Sequence, residues 1–379
     1  MLIYLLGFFI SCFILWATKD WKAKSIGFVL CSIVALLIPC LIAGLRDSSI
    51  GTDVEVYATT LLDAADQSDS FLELWNGTYY HGSHYYRDVS ILGLGFVALT
   101  WLISKTADTL FALLFCTQLL TIVPIFLGLL RFRDKVPTWL GMAVYYLLYF
   151  NQSLNIMRQW IAMGILFFGL YYLSRREFLK YSATILVASV FHTSAFLGFF
   201  VLGVYVFATA EGIFSRRIRM MIMIILAALL LGSLSIVAEF LTFFGLDRYA
   251  AYLGDFEISL LWKQLVLRLP VIVLLALNWS RLEEATPLAS LFVVMASFDL
   301  LISQLGSIRT DSSRIGLYFS EYAIISLPFL TASGKGLGNK ERIVKLVNTA
   351  AIIGYSLLYW YMVYVVQGWS ETIPYALGI

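Results

Sequence analysis

The chain has 379 residues, of which 60% are hydrophobic and only 13% charged, with a mean hydropathy of +0.85. A net charge of +2 without a long basic run excludes a nucleic-acid surface, and so apolar a composition excludes an ordinary soluble domain. Cys12, Cys31, Cys40 and Cys116 lie in apolar runs without CxxC or Cys/His spacing, so neither a disulfide framework nor a zinc site is expected.

Several apolar runs reach the roughly 20 residues that cross a hydrocarbon core of about 30 Å. In chain order, spans are predicted near 2–17, 26–45, 89–104, 108–130, 136–151, 156–173, 178–208, 217–238, 260–279, 287–305, 314–331 and 343–366. The first reads as a retained span, because no basic n-region precedes it and no small-residue cleavage site follows. This predicts an all-α, polytopic membrane protein of about eleven to thirteen spans, one transmembrane domain over 1–379. Lysine and arginine gather at 19–24, 175–176, 216–219, 281 and 335–342. If these loops are cytoplasmic, segment 46–88 lies outside with short amphipathic helices, and 178–208 must turn back as a hairpin near His192. With Arg131, Arg133 and Lys135 inside, residues 89–130 must then cross an odd number of times although they read as two spans, so one of the two is expected to be re-entrant, with Pro124 a candidate break; the alternative is that 178–208 is a single helix and the arginines of 131–135 and 175–176 face outward.

Ionisable groups in or beside spans cost roughly 2.5–3.5 kcal/mol on insertion scales and demand a reason. Segment 46–88 opens with Arg46-Asp47-Ser48-Ser49-Ile50-Gly51-Thr52-Asp53 and runs on to Tyr57. Gly51 permits a tight turn, Thr52 or Asp53 can cap the next helix, and Arg46 stands at the membrane edge as a fixed cation. The plainer alternative is a snorkelling arginine and a simple cap. His81 and His84 sit among tyrosines with no third ligand, so an interfacial role is expected rather than metal binding.

Asn155, Arg158 and Gln159 begin an otherwise apolar span. A guanidinium is a planar fork suited to phosphate or carboxylate and stays charged when partly desolvated, so Arg158 is expected to hold an anion; the competing role is an internal ion pair, for example with Asp299 or Glu239. A second cationic cluster, Arg309-Thr310-Asp311-Ser312-Ser313-Arg314, has Tyr318 one helical turn on, and Arg248-Tyr249 with Tyr252 repeats the pairing. Tyrosines of this kind can stack on sugars and bond their hydroxyls, against the plainer reading of an aromatic belt. His192, in Phe191-His192-Thr193-Ser194-Ala195, has the ordinary pKa of about 6.5 that suits a general base, although a lone histidine in an apolar run is more often a hydrogen-bonded core residue. GxSxG, HExxH, Walker and DxD motifs are absent.

The stretches 46–57 (RDSSIGTDVEVY), 155–162 (NIMRQWIA) and 188–195 (ASVFHTSA), with the terminal Ile373-Pro374-Tyr375, resemble in order and spacing the EpsG-type branch of the Wzy-like polysaccharide polymerases. One departure is Arg87-Asp88-Val89, where an acidic residue followed by proline is the family-like pattern. The resemblance implies a bacterial, metal-independent, GT-C-like glycosyltransferase without a cofactor. It would join oligosaccharide units carried on undecaprenyl diphosphate, outside the cytoplasmic membrane, beside membrane lipid, a flippase and a chain-length regulator (polysaccharide co-polymerase). His192 would act as base, with Arg158 and Arg314 on the leaving diphosphate. Arg46, Asp53, Tyr57, Gln159, Arg248, Tyr249, Tyr252, Arg309, Asp311 and Tyr318 would hold substrate in one outward cavity. A flippase for the same lipid-linked glycan, or an O-acyltransferase modifying it, are the alternatives; the lack of internal repeats weighs against transport.

Overall fold

A computed structural model of the chain describes residues 1–82, 85–211, 214–232, 242, 261–304, 310–332 and 338–378. It is all-α apart from one small hairpin, and it divides into two compact units, Met1–Phe199 with Ile343–Ile379, and Phe200–Arg342.

In the first unit, α1 (Leu2–Ala17) packs on α2 (Ile26–Gly44), which packs on α6 (Leu110–Leu130). Side-chain hydroxyls start two of these helices: Ser25 Oγ accepts from Phe28 N at 3.3 Å and Thr109 Oγ1 from Ala112 N at 3.2 Å. Helix α6 lies against α9 (Met157–Ser174), whose Gly164 leaves so little room that a Cβ there would fall 2.7 Å from Thr121 O. Before α9 the chain runs through α7 (Thr138–Tyr145), a π turn at Tyr146–Phe150 and α8 (Asn151–Asn155), then breaks at Ile156, where φ is −113° and ψ 64°.

Segment 46–109 is a cap on this bundle. It contains a π turn at Val54–Ala58, α3 (Thr59–Gln67), α4 (Phe71–Asn76), strands β1 (Thr78–His81) and β2 (Tyr85–Asp88), a 3-10 turn at Val89–Leu92, and α5 (Leu94–Ser104). The short helices match the expected amphipathic segments: α3 buries Leu61, Leu62 and Ala65 and leaves Asp63 and Gln67 outward or half-buried. The antiparallel hairpin, with Tyr80 opposite Tyr86, was not anticipated. The cap has its own apolar core, in which Val54, Tyr57, Leu61, Val89 and Phe96 meet Met157 and Ile161 of α9.

Three helices among the described residues are long and apolar enough to cross a membrane, Ile26–Gly44, Leu110–Leu130 and Asn339–Val366; α13 (Trp262–Leu277) and α14 (Trp279–Ala285), bent by 72°, make a fourth if joined. With five shorter apolar helices, this is a multi-pass membrane protein. Among the described residues, uninterrupted spans are fewer than the apolar runs read from the sequence. The 178–208 run divides into α10 (Phe178–Ser189) and α11 (Leu197–Thr209), with a break at Val190–His192 where the hairpin turn is expected. Helix α5 has 11 residues, about 16 Å at ~1.5 Å per residue, half of what crossing needs. Pro124 breaks nothing: α6 continues through it.

In the second unit, α15 (Ala289–Ser303) is central, packing against α12 (Arg216–Gly232), α13, α16 (Thr310–Ser320) and α17 (Ala323–Phe329). Arg268 Nε donates to Asp299 Oδ1 at 3.1 Å, and Arg281 Nη2 donates to Glu341 Oε2 at 3.0 Å. Glu341 belongs to the start of α18 (Asn339–Trp360).

The cap is fastened to the bundle by Arg46, which is 3% exposed. Its Nε donates to Ile50 O at 3.1 Å, Nη1 to Ala43 O at 3.0 Å and Nη2 to Leu154 O at 3.0 Å. Ala43 and Leu154 end α2 and α8, where carbonyls lack intrahelical donors. Burial lowers the Arg46 pKa to about 10, which leaves it charged at neutral pH. The C-terminal strap closes over the same place: Asp47 N donates to Ala376 O and Gly378 N to Leu45 O, each at 2.9 Å, and Tyr375 OH donates to Ile42 O at 2.9 Å. Arg46→Gln is expected to cost about 3 kcal/mol, since buried carbonyls lose charge-assisted donors. Arg46→Lys should rescue little, one ammonium being unable to reach all three. The thermal unfolding midpoint of the extracted full chain measures both.

Candidate functional site

The break at Ile156 ends α8 and starts α9 against the cap, and the polar residues singled out in the sequence meet there. Asn155 Oδ1 accepts from Thr52 N at 2.7 Å and also from the Thr52 hydroxyl. Asp53 Oδ2 accepts from Met157 N at 3.1 Å and from the Tyr57 hydroxyl. Asp53 therefore does not cap its own helix: it places a negative charge at the first N–H of α9, where an orphan donor and the positive helix end both favour it. Gly51, at φ +94°, makes the turn that this approach needs, and a Cβ there would meet Leu154 O at 2.5 Å.

Arg158 lies one turn into α9, half-buried, with its guanidinium 4.8 Å from the centre of the Tyr57 ring. Tyr57 is 3% exposed and edge-on to Phe96 at 5.5 Å. Burial, reinforced by the Asp53 carboxylate, raises its phenol well above the usual pKa, so it stays a neutral donor to Asp53. Arg158 Nη1 donates to Leu92 O at 2.9 Å and, less closely, to Ile91 O at 3.4 Å. Its Nε is buried and has no hydrogen-bond partner among the described residues. A charged donor left unmatched in a buried place is costly, and an incoming oxyanion would satisfy it. Of the two internal acids expected as rival partners, Asp299 is held by Arg268, and Glu239 lies outside the described residues.

The same turn receives His192. Gly95 N donates to Val190 O at 2.9 Å, and Gly93, at φ +84°, comes so close to the break between α10 and α11 that a Cβ would sit 2.9 Å from Phe191 O. Residues 91–95 thus take the Arg158 guanidinium on their carbonyls and the 190–192 backbone on an N–H. His192 is half-buried and starts the 3-10 turn Thr193–Phe196. Its Nδ1 lies 2.5 Å from Ser194 Oγ and 3.3 Å from Ser194 N. Ser194 N donates to Nδ1, so Nδ1 carries the ring's lone pair in the neutral tautomer and Nε2 carries the proton.

The other candidates distribute as follows. Gln159 is buried beside Arg158, with Nε2 toward Met163 Sδ at 3.8 Å. The fixed cation expected of Arg46 has its donors spent on main-chain carbonyls, so it builds the site's floor. Arg314 and Tyr318 belong to α16 of the second unit; Arg314 is exposed, but Tyr318 is 2% exposed and offers no open ring face, because their shared helix face enters the core within a turn. Asp311 begins the same helix. Arg248, Tyr249, Tyr252 and Arg309 lie outside the described residues, as does His84.

Sequence reasoning missed Ser194, the 91–95 turn and the hairpin. Signals existed for the first two, a hydroxyl two residues after His192 and a glycine pair opening an apolar run. On the hairpin, Tyr80 and Tyr86 pair with ring centres 5.0 Å apart and remain 39% and 70% exposed, and Arg87 lies 4.9 Å from the Tyr85 ring. No three His, Cys, Asp or Glu side chains among the described residues group as metal ligands.

Gly93→Ala is expected to cost about 1–3 kcal/mol, since alanine at positive φ is strained and its methyl would push Phe191 away. A lowered thermal midpoint, with normal membrane insertion, checks this.

Against known proteins, a family model described as the EpsG family matches residues 28–377, nearly the whole chain. No curated protein and no solved structure matches it.

Proposed function

Because the chain belongs to the EpsG family, we propose that it is a polysaccharide polymerase, a GT-C-like glycosyltransferase acting as one transmembrane domain. Its donor and acceptor are oligosaccharide repeat units carried on undecaprenyl diphosphate, met at the external face of the bacterial cytoplasmic membrane. The observation that carries this reading is Arg158: a half-buried guanidinium, propped on Tyr57, with one donor unmatched and the His192 segment on the same turn.

In the proposed reaction an acceptor hydroxyl oxygen attacks the anomeric carbon of the donor glycan. The bond from that carbon to the diphosphate oxygen breaks, the electron pair leaves with the diphosphate, and the hydroxyl proton passes to the His192 imidazole. Arg158 stabilises the charge growing on the leaving group, the part a divalent cation plays in other transferases. Asp53 and Tyr57 hold Arg158 in place, and Ser194 fixes the imidazole. Diphosphate leaves readily, so a fixed cation is sufficient assistance. The exposed Tyr80 and Tyr86 rings beside the site suit the faces of sugars. A flippase supplying the lipid-linked units and a chain-length regulator are the expected partners.

Arg158→Lys keeps the charge but loses the fork, and polymer formed by purified protein from a synthetic lipid-linked repeat unit is expected to fall at least about a hundredfold. Wild-type yield from that variant would remove Arg158 from the diphosphate site, and translocated monomer or an acylated product in place of polymer would replace the reading altogether.

Chelation with EDTA is expected to leave the yield unchanged. Loss of activity restored by magnesium or manganese would show that arginine is not the neutralising group.

A further inference from the structure

At the end of α1 remote from Arg46 a second feature has no part in this chemistry. A groove of about 520 Å³ runs along α1 between α7 and α18, walled by apolar side chains such as Phe9, Phe13, Trp16, Ala143 and Leu357. Its size falls within the roughly 300–1,000 Å³ of ordinary ligand sites. Trp139 also lines a smaller pocket of about 50 Å³, which Lys19, Arg133 and Thr138 make polar. One water needs roughly 10–15 Å³ by such a measure, so the smaller pocket has room for a larger group.

Arg133 is only partly used by the protein. Its Nη2 donates to Lys19 O at 3.1 Å and Trp21 O at 2.7 Å, and its guanidinium lies 5.0 Å from the Phe28 ring centre. Its Nη1 is buried without a hydrogen-bond partner among the described residues. Lys19 Nζ, over the Trp16 ring at 4.8 Å, adds a second cation, and no carboxylate among the described residues lines the pocket.

We propose that groove and pocket together bind an anionic phospholipid, with the phosphate held by Arg133, Lys19 and Thr138 and an acyl chain lying along α1. Charge complementarity selects the head: two cations and an unmatched N–H call for an oxyanion, and a zwitterionic head would bring its ammonium up to Lys19. Continuity at Trp139 selects a lipid over free phosphate, since one amphiphile fills both compartments. Bound there, it ties α1, α7 and α18 to the loop that carries Lys19.

The test uses the full chain in phosphatidylcholine bilayers with and without phosphatidylglycerol, read by native mass spectrometry and by thermal midpoint, with no polymerisation assay involved. Retained phosphatidylglycerol and a raised midpoint are expected. Lys19→Gln and Arg133→Gln should each weaken retention about tenfold, the equivalent of losing one charge-assisted contact. Because Arg133 also braces the loop, Ala143→Phe serves as an independent variant: it fills the groove, leaves the cations intact and should reduce retention equally. Equal retention of phosphatidylcholine, the same midpoint shift from inorganic phosphate, or preferential displacement by a polyprenyl phosphate would each overturn the proposal, the last by making this a site for the carrier lipid.

Discussion

The guanidinium of Arg46 joins the end of α2, the turn at Ile50 and the end of α8 through three main-chain carbonyls. Each helix end there would otherwise present acceptors with no water to meet them, and a single planar cation satisfies both. Everything proposed for catalysis depends on that junction. It sets the depth at which the chain leaves α8, hence where α9 starts, and thereby where Asp53 reaches the Met157 N–H. The C-terminal strap over residues 45–47 brings the distant Tyr375 stretch into the same construction.

On this floor the site is assembled in layers. Asp53 holds Tyr57, Tyr57 supports Arg158 across its ring, and Arg158 reaches the carbonyls of the 91–92 turn. That turn lies against Phe191, with His192 next in the chain. The short helix α5 follows from the same geometry. It begins by receiving the 190–191 backbone and ends after 11 residues, which leaves the cap seated on one end of the bundle.

The arginines fall into two kinds. Arg158, Arg133 and Arg219 are placed against main-chain carbonyls, and each keeps one donor unmatched among the described residues. Arg268 and Arg281 are matched by Asp299 and Glu341. A buried pair of opposite charges is self-contained, whereas a buried cation with a vacant donor is ready for an anion.

Composition and hydropathy alone determined that this is a helical, multi-pass membrane protein, because no soluble packing accommodates so many long apolar runs. Its motifs determined the family, since their order along the chain survives without coordinates. The break at His192 was also legible there, because the positions of the basic loops required a return. Tertiary structure alone decided what each arginine touches. Arg46 and Arg158 both read as cations at a membrane edge, and only the position of helix-end carbonyls separates the clamp from the one with a vacant donor. Nor could local sequence show that Asp53 serves a helix about a hundred residues away, that Tyr318 turns inward, or that Pro124 leaves α6 intact. Those outcomes depend on which surfaces meet, and periodicity along one segment carries no information about its partner.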